Sequence, residues 1–279
     1  MVEINPFPEK ILDQAREQAA STTQREKDIK AQAEEVERLC KLWDNLNRFL
    51  HKQWPLHCLD LLDKHKHLIE KMRVDQSSEV SLMDDIYRVA KERAEELKPH
   101  RFPAYLEKAC QATSLQLDQD SRHPRYKFEK GFFQLDIDDH KKTASLSNYE
   151  SSKMVEFPAD IGAIVEVVQR EHKRIFERTF DGKKFIKKLL SQYLAILKKD
   201  KLSDGSTIPI RNITQRLGKN ESGFRTDEFL IDLSRLVEQG PIEIDGCRLE
   251  LQQTKETNQG MLLHIEQKRY IGFMFFKKV

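Results

Sequence analysis

Three consecutive segments decide the fold of the C-terminal part of the chain: TIPIRNITQRLG (207–218), TDEFLIDLSRLVEQG (226–240) and PIEIDGCRLEL (241–251). In the first segment, Ile213 and Leu217 are four residues apart and predict one face of a short helix. The second predicts a longer helix that Gly240 closes. The third contains Asp245-Gly246, the favoured two-residue turn of a β-hairpin. The segments therefore predict two helices followed by a hairpin.

A further helix at 183–199 and a short strand at TIPI complete the pattern helix, strand, helix, helix, hairpin. Over residues 183–251 this order resembles the winged-helix superfamily, by its pattern and not by a unique motif. The segment MLLHIEQKRYIGFMFFKK (261–278) then predicts a second apolar hairpin. That addition is unusual for a small DNA-binding domain and indicates extra buried surface.

The charges of the second predicted helix argue against DNA reading. In helix-turn-helix proteins this helix enters the major groove and usually exposes Arg, Lys, Asn or Gln. Here it carries four acidic residues and one basic residue: Asp227, Glu228, Asp232, Glu238 and Arg235. Acidic side chains are repelled by DNA phosphates. We therefore expect this helix to bind protein or to have a structural role.

The N-terminal part predicts one long helix over residues 9–54, between Pro8 and Pro55. Its first half has few large apolar residues and is expected to stay solvated. Its second half carries an apolar stripe, spaced mostly by threes and fours, which is typical of a coiled coil. The predicted partner-binding residues of this stripe are Ile29, Val36, Cys40, Trp43 and Leu50.

Periodicity divides the chain into three predicted regions. Residues 1–120 predict a helical, coiled-coil-like bundle or hairpin that serves as an interaction region. Residues 121–182 alternate apolar and polar positions and then resume a helical pattern, which predicts a connecting β-hairpin plus helix. Residues 183–279 predict a winged-helix-like domain with the extra C-terminal hairpin. The fold class is thus mostly α with a smaller β component.

Composition indicates the cellular compartment of the chain and limits the kinds of partner that it can bind. The net charge is only +2 over 279 residues, but Lys and Arg exceed Asp and Glu by 18 to 12 within residues 121–202. Any affinity for nucleic acid must therefore come from a local patch. The four cysteines form no CxxC pair, which fits a reducing cytoplasm. The sequence contains no signal-peptide pattern and no apolar run long enough for a membrane span.

Two basic clusters are candidates for non-specific contact with a nucleic-acid backbone. Such contacts require Lys and Arg and carry no sequence code. The candidates on the helix at 183–199 and around the β-hairpin are Lys183, Lys184, Lys187, Lys188, Arg125, Lys127, Lys141 and Lys142. The alternative interpretation is a solvated surface, which is the usual role of a charge run.

The sequence offers two weak candidates for metal-dependent chemistry. Asp63 and His67 are four apart on one helix face, a spacing that metal ligands use. Asp139-His140-Lys141 has the acid-x-Lys spacing of divalent-metal nucleases, but a solvated turn uses the same residues. No phosphate-binding glycine loop, GxSxG motif or Cys-His pair is present. We predict a non-enzymatic protein without a cofactor or a small-molecule substrate.

The layout resembles the winged-helix accessory subunits, of the kleisin and kite type, that bind bacterial SMC-like or Rad50-like ATPases. The stripe from Ile29 to Leu50 and the pattern from Lys183 to Leu251 carry this resemblance. It implies an adaptor subunit of a DNA-processing or defence complex, with an SMC-like ATPase as partner. Many such subunits have two winged helices, whereas this sequence predicts one.

The alternative is a dimeric winged-helix transcription regulator. Its N-terminal helices would form the dimer seam. It would bind DNA through Arg211, Arg216 or Arg235.

Overall fold

The computed structural model describes residues 8–279, which divide into two compact units. The first unit ends at Glu95 and the second spans Glu96–Val279. The predicted region boundaries, by comparison, lie after residues 120 and 182. Helix accounts for about 56% of the chain and strand for about 16%. This confirms the predicted fold class, mostly α with a smaller β component.

The first unit consists of four helices over the described residues: α1 (Glu9–His51), α2 (Pro55–Lys64), α3 (Lys66–Val74) and α4 (Glu79–Glu96). Pro55 opens α2, where its missing N–H is not needed. The sequence pattern predicts a single helix from Leu56 to about Arg73, and this prediction is wrong because the structure divides the segment into α2 and α3. The backbone leaves helical values at His65, whose ring Nδ1 donates to the Leu61 carbonyl at 2.9 Å.

The core of the first unit uses only the C-terminal part of α1. Leu42 and Leu46 of α1 are fully buried. They pack in one cluster with Cys58 of α2, Met72 of α3 and Met83 of α4. The spacing of four between Leu42 and Leu46 places both on one helix face. The rest of α1 contributes nothing to this core, since every residue from Glu9 to Glu34 is exposed.

The second unit begins with a helix, a four-stranded antiparallel sheet in the order β1-β2-β3-β4, and a second helix. The elements are α5 (Phe102–Ala112), β1 (Arg125–Phe128), β2 (Phe133–Asp138), β3 (Thr143–Asn148), β4 (Val155–Pro158) and α6 (Ile161–Phe176). Alternating side chains of β2, namely Phe133, Leu135 and Ile137, are buried. The predicted hairpin is therefore the centre of a larger sheet.

The remaining elements form a three-helix layer and a second antiparallel sheet in the order β5-β9-β7-β6, with β8 paired to β9. They are α7 (Gly182–Asp200), β5 (Ile208–Pro209), α8 (Ile210–Asn220), α9 (Thr226–Gln239), β6 (Glu243–Ile244), β7 (Cys247–Gln253), β8 (Met261–Leu262) and β9 (Tyr270–Lys278). The predicted turn at Asp245-Gly246 joins β6 to β7. However, β7 pairs mainly with β9, so the second predicted hairpin belongs to the same sheet.

No helix within residues 8–279 has the combination of length and apolar character that crossing a bilayer requires.

Deleting a core side chain of α1 should unfold the first unit more readily. Leu42→Ala is expected to lower the free energy of unfolding of this unit by about 2–5 kcal/mol, because it leaves a cavity. Val36→Ala on the same helix should change it by less than about 0.5 kcal/mol, since Val36 is 59% exposed. Urea unfolding of both variants measures the difference. Equal losses would contradict the assignment of the core.

Candidate partner-binding and nucleic-acid-binding surfaces

The N-terminal part of α1 is a helix without a covering layer. All 26 residues from Glu9 to Glu34 are exposed, which corresponds to about 39 Å of helix. Local ion pairs contribute to it, such as Lys30 with Glu26 at 2.6 Å. Such pairs stabilise an isolated helix by only about 0.2–0.5 kcal/mol each. Tertiary packing supplies most helix stability in proteins, and this segment lacks it within residues 8–279.

Three of the five residues of the predicted partner-binding stripe lie on a different face of α1 from the core residues. At 100° per residue, Ile29, Val36 and Cys40 lie on average roughly 120° around the helix from Leu42 and Leu46. Ile29 is 65% exposed and Val36 is 59% exposed. Cys40 is also exposed. These three residues therefore do not serve the core of their own unit.

The other two stripe residues, Trp43 and Leu50, have different environments. Trp43 is partly buried against the core cluster of the first unit, so it has a structural role in the fold. Leu50 is 41% exposed and lines a groove of about 290 Å³. The residues that line this groove are mainly apolar and include Phe49, Leu50, Trp54, Ile86, Val89 and Ala90. The stripe thus leads into an apolar groove at the end of α1.

The acidic helix α9 is enclosed within the second unit. No residue from Thr226 to Val237 is exposed. Helix α6 covers its acidic side. Arg174 binds Asp227 and Glu228, each at 2.6 Å. Arg178 binds Asp232 at 2.6 Å. The acidic residues that distinguish α9 in the sequence are therefore partners of two arginines of the same unit.

Additional polar contacts hold the same junction. The buried Asn148 side chain donates to the Asp227 carboxylate at 3.0 Å. The Arg235 guanidinium donates to the main-chain carbonyls of Phe176, the last residue of α6, and of Arg178 just beyond it. Every buried side-chain nitrogen and oxygen in residues 8–279 has a hydrogen-bond partner. The contact between α6 and α9 is therefore a satisfied polar interface.

The ionisation of this interface follows from its burial and its charges. Burial would raise the pKa of the Asp227 carboxyl, but the hydrogen bond and charge of Arg174 outweigh it and lower that pKa. For Asp232 the balance is reversed, because burial raises its pKa more than Arg178 lowers it. Asp227 and Arg174 therefore stay charged together at neutral pH.

The segment between β8 and β9 packs against other parts of the second unit. The His264 ring lies among Phe132, Tyr149 and Phe176, at 5.6, 6.4 and 5.3 Å between ring centroids. Its main-chain N–H donates to the Ser234 hydroxyl of α9 at 3.0 Å. Lys268 donates to the carbonyl of Lys130. The first sheet and α9 thus fix this segment in place.

The arginines of the regulator alternative have partners inside the unit. Arg211 pairs with the buried Glu150 and donates to the Gly260 carbonyl at 2.7 Å. Arg216 donates to the Gln192 side chain at 2.9 Å. Arg235 binds the end of α6, as described above. None of the three is fully exposed.

The predicted basic clusters differ in how far acidic side chains neutralise them. Around the first sheet, Arg125 pairs with Asp136 at 3.0 Å, Lys127 with Asp120, and Lys141 with Asp138 at 3.8 Å.

On α7 the paired residue is Lys188, which binds Glu221 at 2.5 Å. Lys183, Lys184, Lys187 and the turn residue Lys142 are exposed. No ion pair within residues 8–279 involves these four. The unneutralised charge is thus concentrated on α7.

The residues considered for metal chemistry are separated or otherwise engaged. Asp139 accepts a hydrogen bond from His123 at 2.8 Å, and His123 Nδ1 contacts the Tyr126 hydroxyl at 3.1 Å. Asp63 and His67 are both exposed. Within residues 8–279, no group of three or more metal-binding side chains converges on a common point.

Sequence reasoning missed Arg174 and Arg178, the residues that enclose α9. Part of the signal was present, because the two arginines are four residues apart, although Arg178 lies just beyond the end of α6. Glu228 and Asp232 have the same spacing on α9. Opposite charges at matched spacing are complementary, but the sequence does not say that the two segments meet.

No protein-family model matches the chain, and neither a curated protein nor a solved structure shows a reliable similarity to it.

Removing the central arginine should destabilise the second unit. Arg174→Met leaves Asp227 buried without its main partner, a change that typically costs about 3–5 kcal/mol. We expect the lower end of that range, because 22% of the Arg174 side chain is exposed. Arg170→Met on the same helix is the control, since that side chain is 60% exposed. Chemical unfolding should separate the two variants, and equal stability would contradict the structural role of Arg174.

His264 should make the second unit sensitive to mild acid. Burial lowers the pKa of His264, although the nearby charge of Glu129 partly opposes it. The unfolded chain therefore takes up this proton first, below about pH 6.5, and stability falls as the pH decreases from there toward the folded-state pKa. One such group contributes at most about 1.4 kcal/mol per pH unit.

His264→Phe should remove this contribution and keep the aromatic packing. Stability measured between about pH 7 and pH 5 is expected to decrease less in the variant than in the native chain. His140→Gln is the control, because His140 is exposed in the turn between β2 and β3. An unchanged pH dependence in His264→Phe would show that other groups cause it.

Proposed function

We propose that this chain is a non-catalytic adaptor that binds a long-helix partner through α1. The observation that carries the proposal is the exposed helix from Glu9 to Glu34 together with the exposed stripe residues Ile29, Val36 and Cys40. Isolated helices are only marginally stable in water. A partner helix would cover this apolar stripe and supply the packing that the first unit does not.

The partner's helix would continue into the groove next to Leu50. Helical partners commonly insert apolar residues at positions i, i+3, i+4 and i+7 into such a groove. Phe49, Trp54 and Ile86 provide its apolar walls, and Asp85 and Arg93 lie at its edge. The most suitable partner is therefore a coiled coil with an apolar seam. An SMC-like or Rad50-like ATPase is such a protein and remains our proposed partner.

The C-terminal part acts in this proposal as a winged-helix-like domain with a structural role. The element order from α7 to β9 supports the winged-helix interpretation. The enclosure of α9 by Arg174 and Arg178 argues against groove reading. We place the adaptor in the cytoplasm, in a DNA-processing or defence complex. The regulator alternative would require α9 to leave α6 and would then expose carboxylates to phosphates.

The stripe can be tested with two exposed positions. Ile29→Asp combined with Val36→Asp should place two charges in the interface and weaken partner binding by about 30-fold or more, which corresponds to the loss of one hot spot. The measurement is recovery of the partner by the tagged full-length chain from its native host. Trp43 is left unchanged because its substitution would also disturb the core.

Controls and direct mapping make the result specific. Val74→Asp combined with Leu202→Asp introduces the same change at positions that are 81% and 44% exposed outside α1. A photo-crosslinker at Val36 should capture a coiled-coil segment, whereas one at Arg38, on the opposite face of the helix, should not. Unchanged recovery with the stripe variant would contradict the proposal. Recovery of a homodimer on a palindromic DNA fragment would instead support the regulator.

A further inference from the structure

We propose that the exposed face of α7 binds the phosphate backbone of nucleic acid without reading base sequence. Six lysines and no acidic residue lie between Asp181 and Asp200. Four of the lysines lie within an arc of roughly 100° around the helix. These exposed residues are Lys183, Lys184, Lys187 and Lys198.

The positions of these lysines are unfavourable for the helix itself. Lys183 and Lys184 lie in the first turn of α7, where the helix dipole favours negative charge. Lys183 and Lys187 are also four residues apart, a spacing at which like charges repel. A bound anion would relieve both effects. The N-terminal half of α7 therefore has an electrostatic reason to attract phosphate.

Neighbouring carboxylates do not neutralise this face. The closest acidic residue in sequence is Asp181, whose carboxylate accepts the main-chain N–H of Lys184 at 3.0 Å as the helix cap. By contrast, acidic side chains pair with Arg125, Lys127 and Lys141 around the first sheet. Three basic residues without acidic partners on α7 can therefore be compared with three paired basic residues around the first sheet.

The shape and composition of the face favour nucleic acid over an acidic protein. From Lys183 to Lys198 the helix extends about 22 Å, the length of roughly six phosphates along one strand. Lysine is depleted in protein–protein interfaces, whereas it is a standard phosphate contact in nucleic-acid complexes. No exposed apolar residue lies between Lys183 and Lys187, and the exposed apolar residue of this face is Leu194, which is 50% exposed. Binding through ammonium groups alone would be independent of sequence.

The experiment compares two triple variants of the full chain on a labelled duplex of about 30 base pairs. Lys183→Gln, Lys184→Gln and Lys187→Gln form one variant. Arg125→Gln, Lys127→Gln and Lys141→Gln form the control with the same loss of charge. Fluorescence anisotropy between about 50 and 200 mM salt gives the affinity and its salt dependence.

The α7 variant should bind at least about tenfold more weakly near 100 mM salt, and its log–log salt slope should be smaller by about three. The control should retain most of the affinity and slope. Three results would overturn the proposal: no binding by the native chain at low salt, equal losses in both variants, or a larger loss in the control.

Further ligands show which type of nucleic acid binds to α7 and whether an acidic protein can bind there instead. A second duplex of scrambled sequence should bind equally well. Single-stranded RNA of the same length distinguishes a duplex-specific surface from a general one, and binding to either agrees with backbone recognition. Polyglutamate should compete poorly; equal competition would assign the face to acidic protein and overturn the proposal. The α7 variant should still recover the adaptor's partner, because α1 is unchanged, so the two proposals fail independently.

Discussion

The pairing of two arginines, one on α6 and one just beyond its C-terminal end, with three carboxylates on α9 determines what the second unit can do. Arg174 of α6 and Arg178 after it bind Asp227, Glu228 and Asp232. Buried ion pairs contribute little net stability, but removing one partner is costly because a charge is left without compensation. The interface therefore specifies one arrangement of α6 and α9. Separating these segments would leave the two arginines and three carboxylates without their partners at the same time.

This arrangement explains the acidic residues of α9 by a structural role. In the sequence, its acidic residues indicate only that phosphate contact is unfavourable. In the structure, they neutralise arginines from the preceding region, and the segment carrying His264 closes over the same helix. Helix α9 and the segment carrying His264 are thus used for internal contacts. A unit built in this way is better suited to hold its own parts together than to read a groove.

Local signals predicted much of the fold, whereas long-range pairing could not be predicted. Pro8 and Pro55 bracket the long helix, which ends at His51, and the alternation along β2 identified a strand. These signals act within a few residues. The break at His65 was not predicted, because the apolar period continues across it.

The pairing of β7 with β9 and that of α6 with α9 depend on contacts between distant segments. A single sequence does not record which distant segments meet. The same limit applies to the surfaces. The spacing of threes and fours identified the stripe on α1, but not that Trp43 faces the core and Val36 faces solvent. The basic residues were also found, but not which of them have acidic partners.

The distribution of charge within the second unit connects these observations. Lys and Arg exceed Asp and Glu in residues 121–202, and the C-terminal region is balanced. Because α9 uses its carboxylates on Arg174 and Arg178, those carboxylates are not available to the lysines of α7. The internal interface therefore leaves positive charge on the outer surface of α7, even though the chain as a whole is nearly neutral. Screening over about 8–10 Å at physiological salt keeps such a patch local, so a nearly neutral chain can still have one face that attracts an anion.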